Sequence, residues 1–136
     1  GGDEHDWAAL ELAAQLARAT EAPLLIAGAD AEGGSEAGRL LATASLILQR
    51  TMGVTPEPAL TAPGAEGVLR RAADAAVVVL GASRRYGSER LGETRETIVR
   101  NAVVPVLVLR RGSRPGVLAP PEAVTRFAWS LAESRV

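Results

Sequence analysis

The sequence has no cysteine, so disulfides and thiolate metal sites are excluded and nothing in it requires an oxidising compartment. It has no lysine either: apart from His5, every basic side chain is arginine. That removes a P-loop lysine, a Schiff-base lysine and a lysine general base from consideration. A GC-rich coding sequence accounts for the bias without any selection for arginine chemistry. Aromatic residues make up only 3% of the chain, which removes the stacking platforms of single-strand nucleic-acid binders. Long hydrophobic runs are missing: no stretch approaches the length of a membrane span, and no signal peptide is visible. The net charge of -1 gives no general argument for nucleic acid or membrane as partner.

What is present is a chain of 136 residues, 47% hydrophobic, enough for one domain with a core of Ala, Val, Leu and Ile. Asp3 or Asp6 can cap a helix from about Trp7 to Thr20, whose Ala9, Leu12, Ala13, Leu16 and Ala17 share one face. Pro23 opens an apolar run, Leu24 to Ala29, that reads as a strand buried on both faces. Ser35 caps a second helix carrying Leu40, Leu41, Ala44, Leu48 and Met52, which stops at Gly53. Val54 to Leu60 contains two prolines and so reads as an edge strand. A third helix spans about Ala65 to Ala75, followed by a strand from Ala76 to Gly81, a helix from Glu93 to Ala102 and a strand from Val104 to Leu109. Helices alternating with short apolar strands define an α/β class with a mainly parallel sheet. After Arg110 the composition shifts to Gly and Pro, so residues 1–111 form the expected domain. Residues 112–136 form a linker and an amphipathic segment with Val124, Phe127, Ala128 and Leu131 on one helical face.

The stretch from Val77 to Arg110 carries the functional signal. A loop that leaves the carboxyl end of a parallel strand and feeds a helix amino terminus gathers free backbone N–H groups and suits anions. Here that loop holds Ser83, Arg84, Arg85 and Arg90, and arginine forks match phosphate oxygens bidentately. The plainer reading is a solvated loop whose arginines pair locally with Glu89, Glu93 and Glu96. Asp3, Glu4 and Asp6 crowd the only histidine, His5, but adjacent residues need not converge on a metal, and helix amino-terminal acidity explains them more simply. No metal site is expected, and no nucleophile–base pair is visible.

This order of elements, with GGDEHDWAALELAAQLA near the start and GETRETIVRNAVVPVLVLR near the end, resembles the universal stress protein family over roughly Gly1 to Arg110. The resemblance implies a doubly wound, mainly parallel five-stranded sheet in the order 3-2-1-4-5, flanked by helices. It further implies an adenine nucleotide at the switch point between strands 1 and 4, and dimers through the last strand, here Val106, Leu107 and Val108. The sequence departs from the family in two ways. The usual first strand is missing or replaced, its place to be taken by further chain, by Gly116 to Ala119 or by a partner chain. The adenine-contacting Asp is absent with it. The family's G-x2-G-x9-G-[ST] motif is also altered: Gly81 and Gly92 are eleven positions apart instead of thirteen, Arg84 stands at the second glycine, and Glu93 replaces Ser or Thr, with Thr94 next to it.

The expectation is therefore a non-enzymatic regulatory domain that senses an adenine nucleotide (ATP, AMP, cyclic AMP or cyclic di-AMP) through Gly81, Ser83, Arg84, Arg85, Gly92, Glu93 and Thr94. The alternative is a nucleotide-free dimerisation or protein-interaction module. The first-helix wording also resembles the cytoplasmic regulatory domains of bacterial cation/proton antiporters, which implies a cytoplasmic location at the inner face of the plasma membrane.

Overall fold

A computed structural model describes residues 3–29, 35–83 and 90–112. Helix α1 (Glu4–Thr20) starts earlier than the apolar periodicity predicts because Asp3 is its cap: the carboxylate accepts from His5 N at 2.9 Å and Asp6 N at 3.1 Å. The helix ends where Glu21 turns left-handed, φ 53°, and sends its N–H back to Ala17 and Arg18. Strand β1 (Leu25–Ala29) follows, then α2 (Ser35–Met52), closed by Gly53 at φ 65°. Strand β2 is Glu57–Thr61, α3 Ala65–Arg71, β3 Val78–Gly81, α4 Glu93–Asn101 and β4 Val106–Leu109. α3 ends before the expected Ala75, its last turn closed by the Ala72 N–H on the Val68 carbonyl, and β2, β3 and β4 each begin later than the apolar runs that mark them, at Glu57, Val78 and Val106.

The architecture is α/β with parallel strands, as the alternating pattern implies. Among the described residues the four strands form two separate parallel pairs, and the full five-strand order that the resemblance implies is not seen in them. β1 pairs with β2 in the register Leu25–Glu57 to Ala29–Thr61, and β3 pairs with β4 from Val78–Val106 to Gly81–Leu109. Each pair is joined through a helix, β1–α2–β2 and β3–α4–β4, the usual crossover for parallel strands. In a strand, a residue's N–H and C=O point to one side and those of its neighbour to the other. Glu57 N donates to Leu24 O at 2.8 Å, so Glu57, Ala59 and Thr61 face β1 and the missing N–H of Pro58 falls on the outer edge. That is how β2 tolerates its proline.

Helices α1 and α2 meet over β1 in the core, where Trp7, Ala14, Ile26, Leu41, Ala44, Leu48 and Met52 are buried together. Small alanines on α1 let the helices approach closely, and Leu48 is wholly enclosed. α3 and α4 pack on each other, with Ile98 buried at the centre of their layer. No helix among the described residues is long and apolar enough to cross a membrane. The linker and the amphipathic segment expected beyond Gly112 lie outside the described residues.

Candidate functional site

A cavity of about 1020 Å³ separates the two strand pairs. One wall is the whole of β1, the other Val79, Leu80 and Gly81 of β3, and no residue of β2 or β4 lines it. Its floor and roof are apolar, built from Leu10 and Ala13 of α1, Leu40 and Leu41 of α2, and Val68 and Ile98 of α3 and α4. Thr43 of α2 lines it from mid-helix, and its other polar side chains lie at or near the starts of three helices: Asp6 of α1, Glu36 and Arg39 of α2, and Thr94 and Arg95 of α4. They gather near the carboxyl ends of the strands, where open parallel sheets bind ligands.

Arg95 organises this end. Its Nε donates to the Gly81 carbonyl at 2.6 Å, and its other guanidinium nitrogen lies 3.9 Å from the Asp6 carboxylate. Both side chains are about three-quarters buried, so the guanidinium is held from two sides and still meets the cavity. Gly81 has no room for a side chain. A Cβ there would stand 2.5 Å from Asp6 N and 2.6 Å from the His5 carbonyl carbon. The first turn of α1 therefore rests directly on the end of β3. His5 ties the same turn to the chain leaving β4: it is buried, and its Nδ1 accepts the Arg111 backbone N–H at 3.0 Å. That geometry requires Nδ1 to be unprotonated, which places the ring hydrogen on Nε2 when the ring is neutral.

The sequence-predicted residues fall around this corner unevenly. Gly81 is at its centre, although through its backbone and its lack of a side chain. Ser83, two residues on, has a buried Oγ with no hydrogen-bond partner among the described residues, and an unpartnered buried hydroxyl costs free energy that a ligand can recover. Gly92 caps α4 at φ 81°, ψ 155°, a region open to glycine and few other residues. Glu93 and Thr94 open that helix on its exposed side, and Thr94 reaches the cavity lining. Arg84 and Arg85 lie outside the described residues. Asp6 and Arg95 were missed. Asp6 reads in sequence as one more helix-start acid. The signal for Arg95 was a basic residue in the first turn of a helix, where the macrodipole disfavours it unless it has another partner.

The fold is shared with universal stress proteins of known structure. One from Archaeoglobus fulgidus matches with a TM-score of 0.66 at 23% identity, over 81% of this chain and 92% of that one. A universal stress protein in complex with cAMP matches at 0.63 and 17%, over 82% and 92%. The Archaeoglobus fulgidus universal stress protein in complex with dAMP matches at 0.63 and 22%, over 81% and 90%. No protein-family model matches the chain, and no curated protein sequence does either.

Proposed function

We propose that the chain is a non-enzymatic, universal-stress-type domain that binds an adenine nucleotide at the carboxyl ends of β1 and β3. The observation that carries this reading is the corner where Arg95 is fixed on the Gly81 carbonyl beside Asp6, with Ser83, whose buried hydroxyl has no partner among the described residues, two positions further along the chain. An anchored guanidinium suits a phosphate oxygen, Ser83 supplies a donor, and the apolar cavity beneath suits a flat base. Structures of the same fold contain cAMP and dAMP, which supports a nucleoside monophosphate or its cyclic form as ligand class. Glu93 at the first turn of α4 is repulsive to a triphosphate, so ATP is the weaker ligand.

The test is a thermal-shift and calorimetric titration with dAMP, AMP, cyclic AMP, cyclic di-AMP and ATP, in the chain and in Ser83→Ala. Ligand at 100 times its Kd raises stability by about 2.7 kcal/mol. Ser83→Ala removes a hydroxyl that has no partner among the described residues, so the unliganded Tm stays level or rises. Nucleotide affinity falls about fivefold to tenfold, the value of one hydrogen bond. No shift with any ligand at millimolar concentration contradicts the reading.

A second reading, dimerisation through β4, is favoured by a run of exposed apolar side chains: Val99, Val103 and Leu107, with Val103 83% exposed. Val78 N donates to Pro105 O at 2.9 Å, so the main-chain groups of Val106 and Val108 line the outer edge of β4 and are available to a second copy. Leu107→Asp then lowers the sedimenting mass from dimer to monomer; an unchanged mass removes this edge as the seam. Regulation of a cation/proton antiporter at the cytoplasmic face of the membrane remains part of the proposal on the resemblance of the α1 sequence alone. Joining the chain to a transporter and measuring nucleotide-dependent flux tests it.

A further inference from the structure

The chain has one histidine, and its buried ring holds together two segments from opposite ends of the sequence. We propose that His5 is a proton-operated latch: its neutral ring fastens the chain leaving β4 to the first turn of α1, and protonation releases it. This inference does not depend on the nucleotide reading.

The latch is a single bond between residues 106 positions apart, the Arg111 backbone N–H donating to His5 Nδ1 at 3.0 Å. Two contacts fix the ring's own backbone to receive it. The Asp3 carboxylate accepts from His5 N at 2.9 Å, and the His5 carbonyl carbon lies where a Gly81 side chain would stand, so the turn is pressed onto the end of β3. On the other side, the Leu109 carbonyl accepts the Ala82 N–H at 2.7 Å, and β4 ends there. Arg111 therefore lies past the strand ladder, and the histidine is what its N–H binds.

Imidazole can accept at Nδ1 only while that nitrogen carries no hydrogen. Once the ring is protonated both nitrogens are donors, and Nδ1–H would face the Arg111 N–H. His5 is only 8% exposed, so water has little access to replace the lost partner in place, and a buried donor left without one is costly. The Arg111 segment has to move away from α1 to hydrate its N–H. The sign follows: only the neutral ring accepts, so the latch is fastened at higher pH and lost as the pH falls.

Charged groups of both signs surround the ring. On α1 they are Asp3, Glu4 and Asp6; Glu4 Oε1 lies 4.0 Å from His5 Nε2, with its side chain 58% exposed. On the segment beyond β4 they are Arg110 and Arg111, and on α4 Arg95, whose guanidinium lies 3.9 Å from the Asp6 carboxylate. β3 meets the turn through Gly81, which adds no charge. The carboxylates favour a cation at the ring, whereas the arginines and the positive end of the helix dipole oppose it. Histidine is the side chain whose charge changes between pH 5 and 8, and His5 is the only one in the chain.

Nuclear magnetic resonance of the isotope-labelled chain between pH 8 and pH 5 tests the proposal. The ring nitrogens of His5 report its protonation, and the Arg111 amide reports the latch. As the ring protonates, protection of the Arg111 N–H from exchange, relative to its intrinsic rate at each pH, falls about 10-fold, the value of one hydrogen bond. The Ala82 N–H keeps its protection, because β4 stays in register. His5→Asn sets an amide oxygen near the Nδ1 position and does not titrate, so it holds Arg111 at every pH. His5→Ala leaves the Arg111 N–H unprotected throughout, and trypsin at pH 8 cuts after Arg111 about 10-fold faster than in the parent chain. The titration of the parent chain needs no variant, so a substitution that fails to fold leaves the test standing. Arg111 protection that does not follow the ring, or a ring that stays neutral down to pH 5, overturns the proposal. So does the same pH dependence in His5→Asn, or loss of protection at Ala82 together with Arg111.

Discussion

Gly81→Ala lowers the stability of the chain by about 3 kcal/mol, at the upper end of the usual overpacking range. The added methyl group would overlap backbone, not the end of a flexible side chain: Asp6 N at 2.5 Å and the His5 carbonyl carbon at 2.6 Å, with the Asp6 carboxylate at 2.6 Å. The first turn of α1 has to lift from β3, and three further contacts depend on that turn. These are the His5 bond to Arg111, the Asp6 approach to Arg95 and, through Arg95, the bond to the Gly81 carbonyl. A fall in Tm on the order of 10 °C is expected for a domain of this size. Gly38→Ala is the control. It lies inside α2 with nothing within 4 Å of its added Cβ, so helix propensity raises stability by about 0.5–1 kcal/mol. Chemical denaturation of both variants gives the comparison, and equal midpoints would mean that α1 does not rest on the end of β3.

Arg95→Ala has two effects that can be read separately. It removes the donor to the Gly81 carbonyl and a cation 3.9 Å from the Asp6 carboxylate, which lowers stability by about 2 kcal/mol, the range for a partly buried charged hydrogen bond. It also removes the anchored guanidinium from the nucleotide site, so affinity for dAMP falls about 10-fold to 100-fold, beyond any loss from altered stability. Arg95→Lys keeps the charge but not the fork that spans Gly81 and the ligand, and recovers only part of either. Binding unchanged in Arg95→Ala, with the stability loss present, would make Arg95 a structural brace and move the phosphate site elsewhere.

Much of the fold was legible because each signal was local. Apolar runs marked β1, β3 and β4, Pro58 marked an edge, and Gly53 marked the end of α2. That β1 and β3 are not neighbours was legible only through the resemblance, which sets a strand position between them; whether the two strands close on each other depends on tertiary packing. They stay apart, and the cavity lies between them. The site was half legible. Gly81, Ser83, Gly92, Glu93 and Thr94 stood out as a degenerate phosphate motif, with Arg84, Arg85 and Arg90 as its cations. Sequence alone gave no means of knowing that the fold sets the first turns of α1 and α4 against the end of β3. That arrangement brings together Asp6 and Arg95, 89 positions apart, and no periodicity encodes it.

The central claim is that an adenine nucleotide binds at the carboxyl ends of β1 and β3. Titration of the isotope-labelled chain with dAMP, followed residue by residue through its backbone amide and arginine side-chain resonances, tests it most directly. The account predicts saturable shifts at Asp6, Ala29, Gly81, Ser83, Thr94 and Arg95, with Leu60, Val103 and Leu107 unmoved. Shifts confined to other residues, or none at millimolar dAMP, would contradict it.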